Sequence, residues 1–315
     1  MNILITGGCG YVGTVLTNKL TSNGAKVTVI DTQWFGNHLK KSNNLKVIKE
    51  DIRNIKNIRF NNYDSVIHLA NIANDPSVEL NPTLSWEVNV LSTKLLIDKC
   101  IENNVKNFIY ASSGSVYGVK KEKRVTEELS LVPISIYNKT KMISERVILS
   151  YMNKLKTIII RPATVSGYSP RMRLDISVNA LTIQALTKNE ITVFGGKQIR
   201  PNIHIEDLVN VYMFFLNKNS KNLYNIYNAG FENISILNIA KKIQKYIPSK
   251  IIIKKNINDR RSYRQDSSRL LNEGFIKKYS IDDSINDIIQ NYKNETFKDE
   301  DICYTTKWMK KNKII

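Results

Sequence analysis

Tyr137 and Lys141 stand four residues apart in Tyr-Asn-Lys-Thr-Lys. At the start of a helix, that spacing puts both side chains on one face. A lysine ammonium beside a phenol stabilises the phenolate and lowers its pKa from about 10. The pair is therefore a candidate general base near neutral pH. Ser113 ends the apolar run before Ala-Ser-Ser-Gly-Ser-Val-Tyr-Gly and would aim a hydroxyl at the same substrate oxygen.

A second constellation lies near the first residue. Gly7, Gly10 and Gly13 recur at every third position in Ile-Thr-Gly-Gly-Cys-Gly-Tyr-Val-Gly, after a strand-like run and before a helix-like one. In that setting Gly7 allows a tight turn and Gly10 lets backbone approach a pyrophosphate. Gly13 lets the helix pack closely, and the helix N-terminus favours the anion. Asp31 ends the second apolar run, where a carboxylate accepts hydrogen bonds from both ribose hydroxyls and repels a 2′-phosphate. Thr32 and Gln33 follow it with no adjacent arginine, which points to NAD over NADP. Asp51 and Ile52, after the third run, suit either an adenine border or a surface turn. Leu69 and Ala70, after the fourth, suit close approach beneath a cofactor or plain packing. Cys9 fills a slot for a small side chain.

The elements that must position these groups are visible as a pattern. Short β-branched runs (Ile3–Ile5, Val27–Ile30, Val66–Leu69, Phe108–Tyr110, Thr157–Ile160) alternate with helical stretches such as Val12–Asn23, closed by Gly24. Near-continuous apolar strands between helices mean a parallel sheet covered on both faces. The expected fold is α/β: a Rossmann-type doubly wound parallel sheet over residues 1–165, then a smaller C-terminal α/β substrate lobe over 166–315. A helix near Ser144–Met152 and a strand at Ile191–Phe194 are expected to interleave the lobes.

Composition narrows the classes. The 315 residues carry 47 Lys and Arg against 28 Asp and Glu, a net charge of +19. The lysines are scattered rather than blocked, so no nucleic-acid partner is expected. Cys9, Cys100 and Cys303 form no CxxC pair, and His38, His68 and His204 lie far apart, so no metal is expected. His68, within a strand, reads as a core residue, and His204 as an orienting one. No apolar run approaches the ~18 residues of a membrane span. With a strand-like run from Asn2, no signal peptide and a reducing cytoplasm are expected.

Together with "VIHLA", Asn89, "YNKTK", "RPATVSG" and "RPNIHIEDL", these stretches make the chain resemble the extended short-chain dehydrogenase/reductases. The likeness is to their NAD-dependent epimerase/dehydratase group, which acts on nucleotide sugars, and it covers nearly the whole length. It implies NAD as cofactor, Tyr137 as base, Lys141 also on the nicotinamide ribose, and Ser113 on the sugar hydroxyl. The implied cofactor set is Gly7, Gly10, Tyr11, Val12, Gly13, Asp31, Asp51, Ile52, Leu69, Ala70, Asn89, Tyr137, Lys141 and Pro162. Asn179, Arg200 and Arg261 match positions that hold the nucleotide diphosphate of the GDP- or UDP-linked substrate. A homodimer is implied as well.

Within the group, dehydratases carry Asp-Glu just after the strand-end hydroxyl. Here those positions are Gly114 and Ser115, so 4,6-dehydration is not expected, and Ser115 is expected at the sugar. The run Arg161–Asp175 is similar to that of GDP-heptose 4-dehydrogenases, with Arg171 and Arg173 either shaping the sugar pocket or pairing with Asp175. The leading expectation is thus NAD-dependent oxidation at C4 of a GDP-heptose or GDP-hexose in surface polysaccharide precursor synthesis. Nucleotide-sugar 4-epimerisation is the alternative. A non-catalytic dinucleotide-binding module is a third reading, which intact Ser113, Tyr137 and Lys141 argue against.

Overall fold

The computed structural model describes residues 1–60, 62–218, 223–255 and 262–314. Among them twelve strands occur: β1 (Asn2–Thr6), β2 (Lys26–Asp31), β3 (Leu45–Lys49), β4 (Ser65–His68), β5 (Asn107–Ala111), β6 (Lys156–Pro162), β7 (Thr164–Ser166), β8 (Glu190–Phe194), β9 (Ile199–His204), β10 (Ile226–Ala229), β11 (Glu232–Ser235) and β12 (Lys250–Lys254). The longer helices are α1 (Tyr11–Ser22), α2 (Ser92–Glu102), α3 (Ile136–Leu149), α4 (Ser177–Lys188), α5 (Ile205–Asn217), α6 (Ile236–Tyr246), α7 (Ile281–Lys293) and α8 (Thr305–Lys311).

Seven parallel strands form the central sheet in the order β10-β6-β5-β4-β1-β2-β3. Apart from the part-exposed edge strand β3, their apolar runs are buried on both faces, as a covered parallel sheet requires. On one face Leu16 and Leu20 of α1 and Leu208 and Val211 of α5 pack with Ile3, Ile5 and Val27. On the other, Leu96 and Ile97 of α2 and Ile148 of α3 pack with Leu4, Val66 and Phe108. Because the strands are parallel, Thr6, Asp31, His68, Ala111 and Pro162 end along one edge. The strand order reverses between β1 and β4, where ligands bind in open α/β sheets.

The second lobe has its own core. Val178 and Leu181 of α4, Ile239 and Ile243 of α6, and Ile285 of α7 close around Ile191 and Val193 of β8. The helix near Ser144–Met152 and the strand at Ile191–Phe194 each pack within one set of elements. β8 pairs with β12 alone, in a separate two-stranded sheet, and the stretch to Leu149 belongs to α3 on the first lobe. The chain instead returns through α5, whose Phe215 meets Tyr227, and β10, which pairs with β6. Ile226-Tyr227-Asn228-Ala229 has no clear period, and only its fit against Ile159–Pro162 makes it a strand. The C-terminal segment also folds back to the first lobe. Trp308 Nε1 donates to the Trp34 carbonyl at 2.7 Å, Ser77 and Thr306 hydroxyls meet at 2.9 Å, and Met309 joins the first-lobe core.

One ion pair ties helix to sheet beneath the strand ends. Arg161 of β6 grips Glu145 of α3 with two bonds, Nε–Oε1 at 3.0 Å and Nη2–Oε2 at 2.6 Å, both residues 3% exposed or less. The Ser112 hydroxyl also donates to Glu145, and Arg161 Nη1 donates to Tyr117 Oη at 2.7 Å. Replacing Glu145 by Leu leaves the guanidinium buried without its counter-charge, at a cost of about 3–5 kcal/mol. Urea unfolding is expected to show that loss for Glu145→Leu, and a smaller one for Glu145→Leu combined with Arg161→Met.

Candidate active site

A cavity of about 580 Å³ opens along the strand-end edge, and a smaller one of about 130 Å³ shares its walls beside Asp31. The glycine loop forms the floor of both. Gly7 has φ +76°, and a Cβ there would lie 2.5 Å from Ala70 N. A Cβ on Gly13 would lie 2.2 Å from Gly7 O, so the helix start packs backbone to backbone on the loop. On Gly10 a Cβ would meet only Gly7 O, at 3.2 Å, leaving bare backbone toward the cavity. The first-turn amides of α1 have no intrahelical acceptor and carry the positive end of the helix dipole.

Asp31 is held at the end of β2 by two amides. Gln33 N–H donates to Oδ1 at 2.7 Å and Cys9 N–H donates to Oδ2 at 2.9 Å. Burial lifts its carboxyl above the usual range, and the two amides offset part of that rise. Cys9 thus has a structural task through its backbone, while burial and Asp31 push its thiol up to about 12. Asp51, Ile52, Leu69 and Ala70 line the smaller cavity beside Asp31.

The proton-handling groups enter from α3 and β5. The Ser135 hydroxyl caps α3 by accepting from Asn138 N at 3.2 Å, which sets Tyr137 in the first turn. Lys141 follows one turn later. Its Nζ donates to the Ala111 carbonyl at 2.6 Å and lies 6.0 Å from the Tyr137 ring centre. Burial drives its pKa down to about 7, with Glu145 opposing the shift. Ser113, Tyr137 and Lys141 line one cavity. The Ser113 hydroxyl meets that of Ser115 at 2.7 Å, and Ser115 Oγ donates to Asn138 Oδ1 at 2.6 Å. Such a set can hold an alcohol oxygen and accept its proton.

Pro162, Arg171, Arg173 and Arg200 also line the large cavity. Three expected residues line neither cavity. Ser115 is buried, with its hydroxyl bonded to Asn138 Oδ1 and the Ser113 hydroxyl. Asn179 is buried under the wall, its amide spent on Tyr11 Oη at 3.1 Å and the Arg173 carbonyl at 2.8 Å, with its Oδ1 accepting from Gly167 N at 3.2 Å. Asn89 lies in a π-helical turn and braces the loop after β4, accepting from Ile72 N at 2.9 Å. Its place is one layer behind the cavity. Arg261 lies outside the described residues.

His68 bonds Thr6 Oγ1 at 2.6 Å and Thr93 Oγ1 at 2.9 Å, and burial with Lys141 nearby pushes its pKa down to about 3. It is a neutral core residue. His204 caps α5 by accepting from Glu206 N at 3.1 Å. Asp75 lines the cavity, and its carboxylate touches the Ser135 hydroxyl. The preceding Asn74 has φ +75°, a costly left-handed conformation that re-aims the chain. Trp34, Phe35, Thr305, Thr306 and Met309 also line the wall. No sequence signal marks the last three, which reach the site only by chain reversal. Among the described residues, no group of three or more His, Cys, Asp or Glu is placed to hold a metal ion, and no helix is long and apolar enough to cross a membrane.

A glycine loop opening a helix, a carboxylate at the end of β2, and Ser113, Tyr137 and Lys141 at one sheet edge define a dinucleotide-binding α/β class. Residues 3–230 match the NAD dependent epimerase/dehydratase family, and the chain belongs to it. It is 28% identical over 270 residues to a UDP-glucose 4-epimerase of Lactobacillus helveticus, covering 77% of this chain and 82% of that one. It is 29% identical over 261 residues to UDP-glucuronic acid decarboxylase 1 of Xenopus tropicalis, covering 78% of this chain but only 60% of that one. Among solved structures, UDP-glucuronic acid 4-epimerase from Bacillus cereus, in complex with UDP-glucuronic acid and NAD, superposes with a TM-score of 0.79. The two are 25% identical, over 93% of this chain and 99% of that one. The fold alone is shared with UDP-glucose 4-epimerase of Thermotoga maritima, with a TM-score of 0.83 at 24% identity, over 93% and 99%.

The cofactor of the family is NAD, and the residues present fit it. The Gly10 cradle is open on the cavity side, the α1 amides lack intrahelical acceptors, and Asp31 stands at the end of β2.

The buried Lys141 has a consequence for stability. In the unfolded chain it holds its proton up to about 10.5, in the folded protein only up to about 7. Between those values the unfolded state binds more protons, so stability rises with pH at up to ~1.4 kcal/mol per unit. Relative to Lys141→Met, cofactor-free wild-type protein is expected to gain stability from pH 7 to 10. Urea unfolding across that range checks it, and a flat difference would mean Lys141 keeps its charge when folded.

Proposed function

We propose that the protein moves hydride at C4 of a nucleotide-activated sugar. The observation that carries this reading is that Ser113, Tyr137 and Lys141 line one cavity, while Gly114 and Ser115 stand where dehydratases of the group carry acids. The Tyr137 phenol oxygen takes the proton of the C4 hydroxyl. The Ser113 hydroxyl bonds the same sugar oxygen, its orientation set by Ser115 and Asn138. Lys141, fixed to the Ala111 carbonyl, favours the phenolate when charged. NAD, when bound, supplies a reversible hydride acceptor. Water is kept from the reacting atoms by the apolar wall of Leu69, Ile72, Ala163 and Leu208.

Two outcomes follow from the same first step. In a 4-epimerase the keto sugar turns and is reduced on its other face; in a 4-dehydrogenase it leaves oxidised. We favour 4-epimerisation of a UDP-linked sugar, because relatives and structural neighbours with UDP-sugar 4-epimerase names run along most of the chain. Net oxidation of a GDP-linked heptose or hexose is the second reading, supported by the run Arg161–Asp175.

Purified protein is to be incubated with UDP-, GDP-, dTDP- and CDP-sugars and NAD, and the products weighed. A mass-neutral epimer is expected, and a product two hydrogens lighter favours the second reading. Loss of water would overturn the reading of Gly114 and Ser115. Tyr137→Phe is expected to lower turnover by about 10²–10⁴-fold with nucleotide-sugar affinity nearly unchanged. Full turnover in that variant would remove Tyr137 as base.

A further inference from the structure

Two guanidiniums stand in the cavity wall with donors left over, Arg171 buried and Arg173 partly so. Arg171 is 4% exposed. It reaches the Met172 carbonyl at 3.4 Å and Thr305 Oγ1 at 3.3 Å, and its face lies 4.0 Å from the Phe35 ring centre. Its Nε is buried without a partner. Arg173 spends Nε on Asp175 at 2.8 Å, and its Nη2 is likewise buried without a partner. Burial, and then the charge of Arg173, push the Arg171 pKa down to about 10. Buried like charges with unmet donors are unfavourable unless an anion joins them. Asp175 answers one of the two charges and is already held by Arg173 and by Thr305 N at 3.0 Å.

The surroundings show where that anion belongs. Both arginines act electrostatically on Tyr11, the first residue of α1. They line the same cavity as Gly10, Tyr11, Val12 and Gly13. Their segment is laced to the start of α1: Tyr11 Oη donates to the Gly167 carbonyl at 2.7 Å, and Ser169 Oγ donates to the Tyr11 carbonyl at 2.8 Å. Two guanidiniums and the positive end of a 12-residue helix therefore meet in one part of the cavity. Arg171 is further coupled to Asp31 at the end of β2, and it stacks on Phe35, four residues after Asp31. The sugar-side groups Ser113, Tyr137 and Lys141 do not figure among the contacts of Arg171, whereas the charge of Arg173 is also felt at Tyr137.

We infer that Arg171 and Arg173, with the N-terminus of α1, form a clamp for the pyrophosphate of the dinucleotide. The C-terminal segment is the brace of that clamp, through Thr305 on Arg171 and Asp175 and through Trp308 on Trp34. This places both arginines at the pyrophosphate, with Arg173 also in the pairing with Asp175 that was the other expectation from the sequence. It rests on the cavity being a NAD site, and it is independent of which sugar reacts.

The test uses the full chain and titrates NAD, ADP, adenosine and UDP by calorimetry. Wild-type protein is expected to bind ADP more tightly than adenosine. Arg171→Gln and Arg173→Gln are expected to weaken NAD and ADP by about tenfold or more, as loss of a charge-assisted bond does. Adenosine and UDP affinities are expected to stay within about twofold, the change too small to count as one lost bond. Arg171→Lys, which keeps the charge but not the fork, is expected to recover part of the loss. A loss confined to UDP would assign the arginines to the substrate and overturn the clamp, as would unchanged NAD and ADP affinity. An equal loss for adenosine would mean general damage to the site and would overturn it too. Wild-type protein that binds NAD but turns over no sugar would sink the proposed reaction while leaving the clamp standing.

Discussion

The site hangs on the buried pair of Arg161 and Glu145. Glu145 sits one turn beyond Lys141 and two beyond Tyr137 on α3, so fixing its carboxylate sets the rotation of the whole helix face. The same carboxylate takes the Ser112 hydroxyl, whose neighbour is Ser113. Arg161 precedes Pro162 on β6 and reaches Tyr117, which in turn donates to Asn228 of β10 at 2.8 Å. One pair of opposite charges, each useless to the other without two-point geometry, thus registers two strands and the helix of the proposed base. A hydrophobic contact there would be non-directional and would leave the helix free to slip.

The opposite constraint governs the cofactor side, where the decisive feature is missing side-chain atoms. Gly7 and Gly13 let loop, strand end and helix touch through backbone, and that approach exposes the α1 amides to the cavity. Electrostatics follows from this packing. A positive helix end is a fixed field that cannot be withdrawn, and the arginines of the segment after β7 add to it. Asp31 and Asp175 balance part of that charge, each satisfied by backbone amides as well. The surplus is positive, in the cavity where a dinucleotide carries its negative charge.

Sequence reading and structure part company at identifiable places. Ser115 and Asn179 are polar residues at family positions, yet their side chains are consumed by internal partners 23 and 168 residues away in sequence. A lone residue type cannot show whether its hydrogen bonds are already taken. Asp75 opens a short helix, Asp75–Val78, capped by Asn74, and its place in the cavity wall follows the positive φ of Asn74. The return through α5 and β10 was invisible because a short edge strand has no periodic signature of its own.

The sequence by itself determined what acts locally. Alternating apolar runs and helices dictated the doubly wound sheet, and the glycine spacing dictated a helix-opening loop. The four-residue step from Tyr137 to Lys141 dictated a shared helix face, because each depends on backbone geometry over a few residues. Only the tertiary structure decided what crosses the chain. It brought Thr305 to Arg171, Trp308 to Trp34 and Arg161 to Glu145, pairings that depend on how packed layers meet and not on local period. It also decided which polar groups remain unpartnered in the wall. Desolvation gives those leftovers their force, and burial is a property of the assembled fold.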